Sequence, residues 1–344
     1  MFNLKCPLVR SVLSLKKLFA AIKYFIISKP KGFDKPLSIS FMGGGEPMLS
    51  WDNVKAGICF SESLAEERGV QLNISVITNG SIVNQECIDF FLQHNINISV
   101  SFEILPEVQN AQRRNFDLVR QNLQTLYMAD IPLQLNATIT PLNVSRMSEM
   151  FIKAVSDFPK IKSLMFEPAT GEDIYGSVEN IRKFYQTYVT EFRHCLSLAD
   201  EYSINLVSFA YLRTVYPLER ACPGEFCITA DGFITGCYCV GSPKEPLFTQ
   251  TMYGKIVDDD VVFNLDKFRA LINENIYSKP ECEKCVVKWN CGGGCFHQYN
   301  SYSKAFQEEV CHFTRNFVEM IVKYRIEKYL KQNKNISYPL IIRI

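Results

Sequence analysis

The sequence predicts an α/β protein in which a parallel sheet is followed by a cysteine-rich region. Three observations support this prediction. Short apolar segments alternate with longer amphipathic ones through the N-terminal part of the chain, a pattern typical of parallel strands joined by helical crossovers. Glycine- or proline-containing turns follow several of the apolar segments. By contrast, nine of the 13 cysteines lie between Ala221 and His312.

The predicted elements follow in chain order. The first is an amphipathic helix at Leu13–Ser28, which ends before Pro30 and Gly32. Strands are predicted at Leu37–Met42, Leu72–Thr78, Ile96–Phe102, Leu133–Thr140 and Lys162–Phe166, with a shorter candidate at Asn205–Val207. Helices separate them at Trp51–Arg68, Asn84–His94, Asn115–Ala129, Val144–Asp157 and Val178–Tyr202. In parallel α/β folds the site lies at the carboxyl ends of the strands, so the residues after each strand are the candidates.

Composition limits the class of function. The chain has 344 residues, of which 47% are hydrophobic, and a net charge of +1. This charge gives no reason to expect binding to nucleic acid or to an anionic membrane. The apolar run Leu18–Ile27 contains Lys23 and is too short to span a bilayer, and no signal-peptide cleavage site follows it. We therefore expect a cytoplasmic protein with no membrane partner.

The cysteines of the C-terminal region have the spacing of a metal framework. Asp231-Gly232 predicts a tight turn that folds two short strands back on each other within the first group. Thiolates are soft ligands for zinc, copper(I) or iron–sulfur clusters. Eight cysteines would fill two four-coordinate sites. The cysteines are Cys222, Cys227 and Cys237 in the first group, Cys282, Cys285, Cys291 and Cys295 in the second, and finally Cys311.

Three interpretations of these cysteines compete. A disulfide framework is disfavoured, because the chain has no secretory leader and is long enough to bury a large core without cross-links. A pair of structural four-cysteine zinc sites is a serious alternative, since zinc ribbons also contain Cys-x-x-Cys followed by a second cysteine pair. The cysteines alone favour zinc and iron–sulfur clusters equally.

The order and spacing of the cysteines resemble the SPASM domain of radical S-adenosylmethionine (SAM) enzymes. In this chain Cys222, Gly232 and Cys237 match the start of that pattern. The later cysteines match its series with two, five and three intervening residues and a final late cysteine. The resemblance implies two auxiliary 4Fe-4S clusters, one bound by Cys222, Cys227, Cys237 and Cys295 and the other by Cys282, Cys285, Cys291 and Cys311.

Two cysteines of this region differ from the minimal pattern. Cys227 lies where members with two fully ligated auxiliary clusters, such as the anaerobic sulfatase maturases, have an extra ligand. Cys239 lies outside the pattern, and we predict that it is a packed thiol.

The strand ends resemble those of the radical-SAM barrel. Gly43-Gly44-Gly45-Glu46-Pro47 follows the first predicted strand and is similar to the family's GGEP motif, in which the glutamate binds the amino group of SAM. Later strand ends, including Thr138 to Pro141, match other family motifs. The residues Glu103 and Ile104 depart from the pattern, because the family commonly has Asp-Gly there. The resemblance implies a SAM site formed by Gly44, Gly45, Glu46, Pro47, Asn79, Ser101 and Glu167.

The Cys-x-x-x-Cys-x-x-Cys loop that defines radical-SAM enzymes is absent from this chain. In the family, its three thiolates leave one iron of a third 4Fe-4S cluster open to SAM. Only Cys6 lies near the expected place, with Phe2 and Val9 at its partner positions. Either the chain is a pseudo-enzyme, or its sequence begins after the loop and the first barrel strand. We favour the second interpretation, because a barrel without its first strand would expose an unpaired sheet edge.

The resemblance implies a partial parallel (β/α)6 barrel at residues 1–215, a SPASM domain at 216–312, and a helix and tail at 313–344. It also implies reductive cleavage of SAM to a 5′-deoxyadenosyl radical, with a flavodoxin or ferredoxin as electron donor. SAM and the third cluster are expected only if the full protein has the cysteine loop. We predict a radical-SAM oxidoreductase that modifies a peptide or protein. The alternative is a non-catalytic protein that binds a peptide or relays electrons.

Sulfatase maturation is disfavoured within this class. In the sulfatase maturases an acidic residue directly after the third cysteine accepts a proton from the substrate, whereas Tyr238 follows Cys237 here. A phenol with a pKa near about 10 is a poor proton acceptor at neutral pH. We therefore predict a maturase that joins a cysteine sulfur to carbon, or otherwise oxidises a precursor peptide.

Overall fold

The computed structural model describes residues 12–42, 45–222 and 224–332. Its larger part is a six-stranded sheet whose neighbouring strands are all parallel and follow one another in sequence order. This confirms the predicted α/β class, including the short sixth strand. The strands are β1 (Leu37–Phe41), β2 (Leu72–Thr78), β3 (Asn97–Ser101), β4 (Leu133–Ile139), β5 (Ser163–Pro168) and β6 (Asn205–Val207).

Helices connect the strands and cover one face of the sheet. Two examples show how they are capped. Asn84 precedes the helix Gln85–Gln93 and accepts a hydrogen bond from Cys87 N at 2.9 Å. Gly69 follows the helix Trp51–Arg68 and has φ +64°. The helices are α1 (Leu15–Ile27), α2 (Trp51–Arg68), α3 (Gln85–Gln93), α4 (Pro106–Gln112), α5 (Phe116–Met128), α6 (Met147–Asp157), α7 (Glu172–Tyr175), α8 (Val178–Tyr202) and α9 (Phe209–Leu212).

The two faces of the parallel sheet differ in polarity. On the covered face, Ile74, Val76 and Val100 belong to the main apolar core. On the other face, residues of neighbouring strands are paired directly across the sheet. In eight-stranded (β/α) barrels the corresponding inner face is filled mainly by branched apolar residues, whereas here most of its side chains are polar and partly exposed. We call it the polar face, and it includes Ser40, Ser75, Ser99, Ser101, Gln134, Asn136, Ser163 and Glu167.

A second, antiparallel sheet follows. Its strands are β7 (Cys227–Ile228), β8 (Phe233–Thr235), β9 (Met252–Val257) and β10 (Asp260–Phe263), in the order β10-β9-β8-β7. The strands β7 and β8 form the hairpin that Asp231 and Gly232 predict, and Gly232 has φ +84°. Lys17 Nζ donates to Asp231 O at 2.7 Å, so α1 is fixed to this hairpin.

A long C-terminal helix returns from this region to the parallel sheet. It packs on α8, where the rings of Tyr185 and Phe313 stack at 4.3 Å. The helix begins at Lys304, ahead of the predicted boundary at residue 313, and therefore contains Cys311. The remaining helices are α10 (Phe248–Thr251), α11 (Leu265–Asn273), α12 (Lys288–Cys291), α13 (Phe296–Ser301) and α14 (Lys304–Gln332).

The described helices include none that is both long and apolar enough to cross a membrane. Several elements have the predicted bounds, among them α2, β2 and α8. The sequence analysis did not predict α4, β9 or β10. The two unpredicted strands are short and are joined by the acidic turn Asp258–Asp259.

Candidate cofactor and metal site

The carboxylate of Glu46 connects the ends of β1 and β2. Its Oε1 accepts hydrogen bonds from Met48 N at 3.1 Å and from Thr78 Oγ1 at 2.6 Å. Its Oε2 accepts one from Asn79 N at 2.7 Å. Two motifs that the sequence analysis selected therefore meet at one carboxylate. Three donors fix its orientation, and Oε2 keeps the capacity to accept a further hydrogen bond.

Gly80 closes the turn after β2 and supports this arrangement. It has φ +73°, and a Cβ atom there would lie 2.8 Å from Val100 Cγ1, so a larger residue would not fit. Gly80 N donates to Thr78 Oγ1 at 3.1 Å, and Gly80 O accepts from Asn122 Nδ2 at 2.8 Å. These bonds hold the end of β2 against Glu46.

A buried ion pair joins the ends of β3 and β4. The Glu103 side chain is 0% exposed and accepts from Arg113 Nε at 2.6 Å and from Thr138 N at 2.8 Å. Arg113 Nη2 also donates to Thr138 Oγ1 at 2.9 Å. Burial raises the pKa of the Glu103 carboxyl, and the Arg113 cation opposes this shift. The sequence analysis noted Glu103 only as a departure from the family pattern and did not predict its partner.

Ile104 adopts a backbone conformation that ordinarily favours glycine. Its φ is +67°, and the family resemblance places a glycine at this position. The chain therefore keeps the left-handed turn with a β-branched residue, at a cost of about 1–2 kcal/mol. The side chain is only 2% exposed, and its burial offsets this cost by about 1.5–3 kcal/mol.

Glu167 lies at the end of β5, beside the junction between the two sheets. Its Oε2 accepts from Phe209 N at 2.8 Å at the start of α9. Burial raises the pKa of Glu167 to about 7, while the hydrogen bond and the Arg213 charge act in the opposite direction. Arg213 also acts electrostatically on Cys291 and Cys295, so its cation lies near both this strand end and these cysteines.

The remaining residues predicted to contact SAM take no part in the hydrogen bonds described above for the Glu46 carboxylate. Ser101 pairs with Asn136 of β4 on the polar face. Gly45 is exposed, and Pro47 begins a short 3-10 helix. Gly44, like Cys6, lies outside the described residues. None of the hydrogen bonds found within the described ranges joins Ser101 or Glu167 to Glu46.

The first set of cysteines converges at the β7–β8 hairpin. Cys227 on β7 pairs with Thr235, and Cys222 Sγ donates to Gly236 O at 3.7 Å. The Cys227 thiol is close enough to Cys222 and Cys237 for their charges to affect it, and Cys237 likewise affects Cys295. The first set is therefore Cys222, Cys227, Cys237 and Cys295.

The second set converges where α14 passes the loops before α13. Cys285 N donates to Cys282 O at 3.2 Å in a tight turn. Cys311 on α14 is close enough to Cys282, Cys285 and Cys291 for their charges to affect its pKa. We call Cys282, Cys285, Cys291 and Cys311 the second set. The resemblance assigns each set to one cluster, and this assignment stays a prediction.

Cys239 contradicts the prediction of a packed thiol, because it is exposed. Val240 N donates to Cys237 O at 3.1 Å, which places Tyr238 and Cys239 at the centre of a turn where neighbouring segments do not cover them. Cys239 and Cys237 are close enough for each thiol to affect the pKa of the other. Cys239 is thus a fifth thiol at the rim of the first set.

Burial opposes the ionisation of several of these thiols. Burial raises the pKa of Cys227 to about 12 and that of Cys311 to about 11. The N–H groups of Gln298 and His297 act against burial at Cys295. Buried cysteines of this kind bind as thiolates only when a metal displaces the proton.

Two cations beside the cysteine sets test whether a metal–thiolate group fits. Lys279 is 5% exposed, and its Nζ donates to a carbonyl, Gly293 O, at 2.7 Å. Arg220, two residues before Cys222, has a buried Nη2 that finds no hydrogen-bond partner among the described residues. Buried cations are costly unless negative charge compensates them. Metal centres with four thiolate ligands carry net negative charge, so the residues present fit such a group.

A backbone contact links the two cysteine sets. Ala221 N donates to Gly292 O at 2.7 Å, and Ile276 N donates to Glu219 O at 3.0 Å. Gly292 has φ +60°, and a Cβ atom there would overlap the backbone of Ala221. The segment before Cys222 is therefore bound directly to the glycine loop between Cys291 and Cys295.

Solved structures share the architecture described above. The chain superposes on anSMEcpe with bound AdoMet with a TM-score of 0.69 at 15% sequence identity, covering 91% of each chain. The chain has the radical-SAM/SPASM fold. The TM-score is 0.71 for anSMEcpe with AdoMet and the Kp18Cys peptide. SuiB of Streptococcus suis bound to S-adenosylmethionine gives a TM-score of 0.53 at 15% identity, covering 85% of this chain and 68% of SuiB.

This radical-SAM/SPASM likeness is one of fold. No family model and no curated protein matches the sequence. The assignment of the fold therefore depends on the superposition, the strand order and the second sheet.

Proposed function

We propose that this chain is an iron–sulfur protein of the radical-SAM/SPASM kind that acts on a peptide or protein. The observation that carries the proposal is that cysteines of each group lie close enough for their charges to affect one another, within this fold. The buried ammonium of Lys279 and the buried Nη2 atom of Arg220 support it, because a nearby anion would stabilise each of them.

Iron–sulfur clusters suit these sets better than zinc ions do. A structural zinc ion requires four ligands that all lie at about 2.0–2.3 Å from one point. Within the described part of the chain, no three His, Cys, Asp or Glu side chains are grouped closely enough to hold a single ion. In a cluster the four thiolates bind different irons and therefore stand further apart. We propose that Cys222, Cys227, Cys237 and Cys295 hold one cluster and Cys282, Cys285, Cys291 and Cys311 the other.

The strand ends provide the second part of the proposal, a SAM site. Glu46 is an oriented carboxylate with acceptor capacity left on Oε2, which suits the amino group of SAM. Bound SAM supplies the adenosyl group for radical chemistry. We propose that Gly45 and Pro47 shape the loop around that group, and that Asn79, Ser101 and Glu167 line the remaining strand ends.

The polar face suits a peptide substrate. Its side chains carry donors and acceptors but little charge, as in the hydrogen bonds Ser40 Oγ to Ser75 Oγ at 2.7 Å and Ser163 Oγ to Gln134 Oε1 at 2.9 Å. Neutral polar groups of this kind can pair with the N–H and C=O groups of an extended backbone. The comparison structures with Kp18Cys and with the precursor peptide SuiA agree with a peptide partner.

We infer that the reaction is not sulfatase maturation. Tyr238 lies in the turn after Cys237, is 44% exposed, and offers a phenol where the maturases have an acidic residue. A phenol is poorly suited to accept a proton at neutral pH. Oxidation of a precursor peptide, for example by joining a cysteine sulfur to carbon, is the favoured reaction.

One observation favours a second candidate. The chain contains no Cys-x-x-x-Cys-x-x-Cys, so it has no complete set of ligands for the cluster at which SAM is cleaved. The alternative is therefore a non-catalytic protein that binds a peptide or relays electrons through its two auxiliary clusters.

Metal analysis tests the first part of the proposal. Anaerobically reconstituted full chain should contain about eight irons and absorb broadly near about 400 nm. Cys285→Ala should retain about four irons, because only one set is broken. Cys59→Ala is the matched control, since Cys59 is exposed on α2 and belongs to neither set, and it should retain full iron. Two tightly bound zinc ions and no iron after anaerobic expression would contradict the assignment.

SAM assays separate the two candidates. Calorimetric titration should detect SAM binding, and Glu46→Gln should weaken it about tenfold to a hundredfold, the value of a hydrogen bond to a charged group. The chain as given should release no 5′-deoxyadenosine above background. A version supplied with the cysteine loop should remove two hydrogens from a peptide substrate. Undetectable SAM binding by the wild-type chain would favour the non-catalytic candidate, whereas formylglycine formation would refute the proposed reaction class.

A further inference from the structure

Lys279 is a buried cation with a fixed position. Its Nζ donates to Gly293 O at 2.7 Å and lies 3.7 Å from the centre of the Tyr299 ring. Only 5% of the residue is exposed. Two contacts therefore hold the ammonium group beneath the glycine loop that follows Cys291.

No carboxylate neutralises Lys279 by direct contact. Glu274 and Glu281 attract it through space, but neither forms an ion pair with it in the described part of the chain. Cys282 and Cys291 also lie near the ammonium and would attract it once they are thiolates. A metal centre bound by the second cysteine set would therefore add negative charge beside this buried cation.

We infer that Lys279 sets the reduction potential of the iron–sulfur centre held by the second cysteine set. This inference rests on the proposed function. A fixed positive charge in a poorly solvated position favours the reduced, more negative form of a neighbouring centre. Lys279 therefore raises the potential of the second centre and makes it a better electron acceptor. It is a positioning residue that acts through its charge and does not bind the metal.

Redox titration followed by electron paramagnetic resonance tests this inference. Lys279→Gln keeps a donor for Gly293 O but removes the charge. It should lower the midpoint potential of the second centre by about 59 mV or more, which is a tenfold change in the ratio of reduced to oxidised centre. The potential of the first centre should not change. Cys285→Ala assigns the signals, because it removes the second centre alone.

Lys284→Gln is the matched control. Lys284 lies in the same loop, beside Cys285 in sequence, but is exposed, so water screens its charge. Its replacement should leave both potentials unchanged. Equal shifts in the two variants, or no shift in Lys279→Gln, would overturn the inference.

A further variant covers the case in which Lys279→Gln fails to assemble its second centre. Lys279→Arg keeps the charge, and it should retain the centre at a potential close to that of the wild type. Loss of the centre in this variant too would show that Lys279 has only a structural role, and would overturn the inference. Absence of iron from the wild-type chain would refute the proposed function itself, which is a separate result.

Discussion

Replacing Gly292 by alanine should disrupt both cysteine sets at once. At Gly292 φ is +60°, and a Cβ atom would lie 2.5 Å from Ala221 N and 2.7 Å from Arg220 C. Both atoms belong to the backbone, so no side-chain rotation can relieve the overlap. One of the two segments must move, and the hydrogen bond from Ala221 N to Gly292 O at 2.7 Å is then lost.

The magnitude follows from three contributions. A non-glycine residue with positive φ costs about 1–2 kcal/mol, loss of the hydrogen bond costs about 1 kcal/mol, and the forced displacement costs about 1–3 kcal/mol. Gly292→Ala should therefore destabilise the fold by roughly 3–6 kcal/mol. Gly294 provides the control, because its φ is +78° but no atom lies within 4 Å of a Cβ there. Gly294→Ala should cost only the conformational share, about 1–2 kcal/mol.

The two variants are compared by denaturant unfolding and by iron content after anaerobic reconstitution. Gly294→Ala should keep both centres. Gly292→Ala should unfold at a lower midpoint and lose iron from both sets, because the contact at Ala221 positions Cys222 against the loop that carries Cys291 and Cys295. Equal destabilisation of the two variants would show that positive φ alone matters at Gly292. Full iron in Gly292→Ala would refute the link between the sets.

Three further predictions concern single residues. In denaturant unfolding, Arg113→Leu should destabilise the protein more than Glu103→Leu, because it leaves a carboxylate that is 0% exposed without its partner, whereas the guanidinium is 34% exposed. Breaking a buried pair costs up to about 3–5 kcal/mol. A smaller loss of stability for Arg113→Leu than for Glu103→Leu would contradict this. Burial raises the pKa of Glu167 from 4.5 to about 7, so the folded chain binds this proton more tightly than the unfolded chain. As the pH rises from about 4.5 to about 7 the wild type should lose stability relative to Glu167→Gln, with no further change above that window; parallel pH profiles would disprove it. Cys239→Ser should retain the iron of both sets, since four other thiols complete the first set, and iron loss would make Cys239 a ligand.

The order of strands and helices was predictable because each element carries its own pattern. β2 alternates apolar and polar residues between Val70 and Asn79, and α8 combines an apolar stripe with Ser177 as its N-cap, whose side chain accepts from Asn180 N at 3.2 Å. Such signals lie within a few residues of each other in sequence. Local patterns of this kind determine where an element begins and ends.

The site was less predictable because its decisive contacts are made between distant segments. Nothing near Lys279 in sequence indicates that its ammonium group is buried against Tyr299. The pairing of Glu103 with Arg113 depends on the turn at Ile104, whose positive φ no propensity rule predicts for a β-branched residue. Cys239 was expected to be packed because cysteine is usually buried, but the turn in which it lies leaves it exposed.

The interleaving of the two cysteine sets has a consequence for the timing of assembly. A ribosome releases the chain from its N-terminus, so three thiols of the first set emerge long before Cys295, and three of the second set emerge before that residue as well. The second set is complete only when Cys311 on α14 has followed. A nascent chain that ends before Cys295 can therefore complete neither set. Under the proposed ligand assignment, metal can complete the first site only after Cys295 has emerged, and the second site only after Cys311 has emerged.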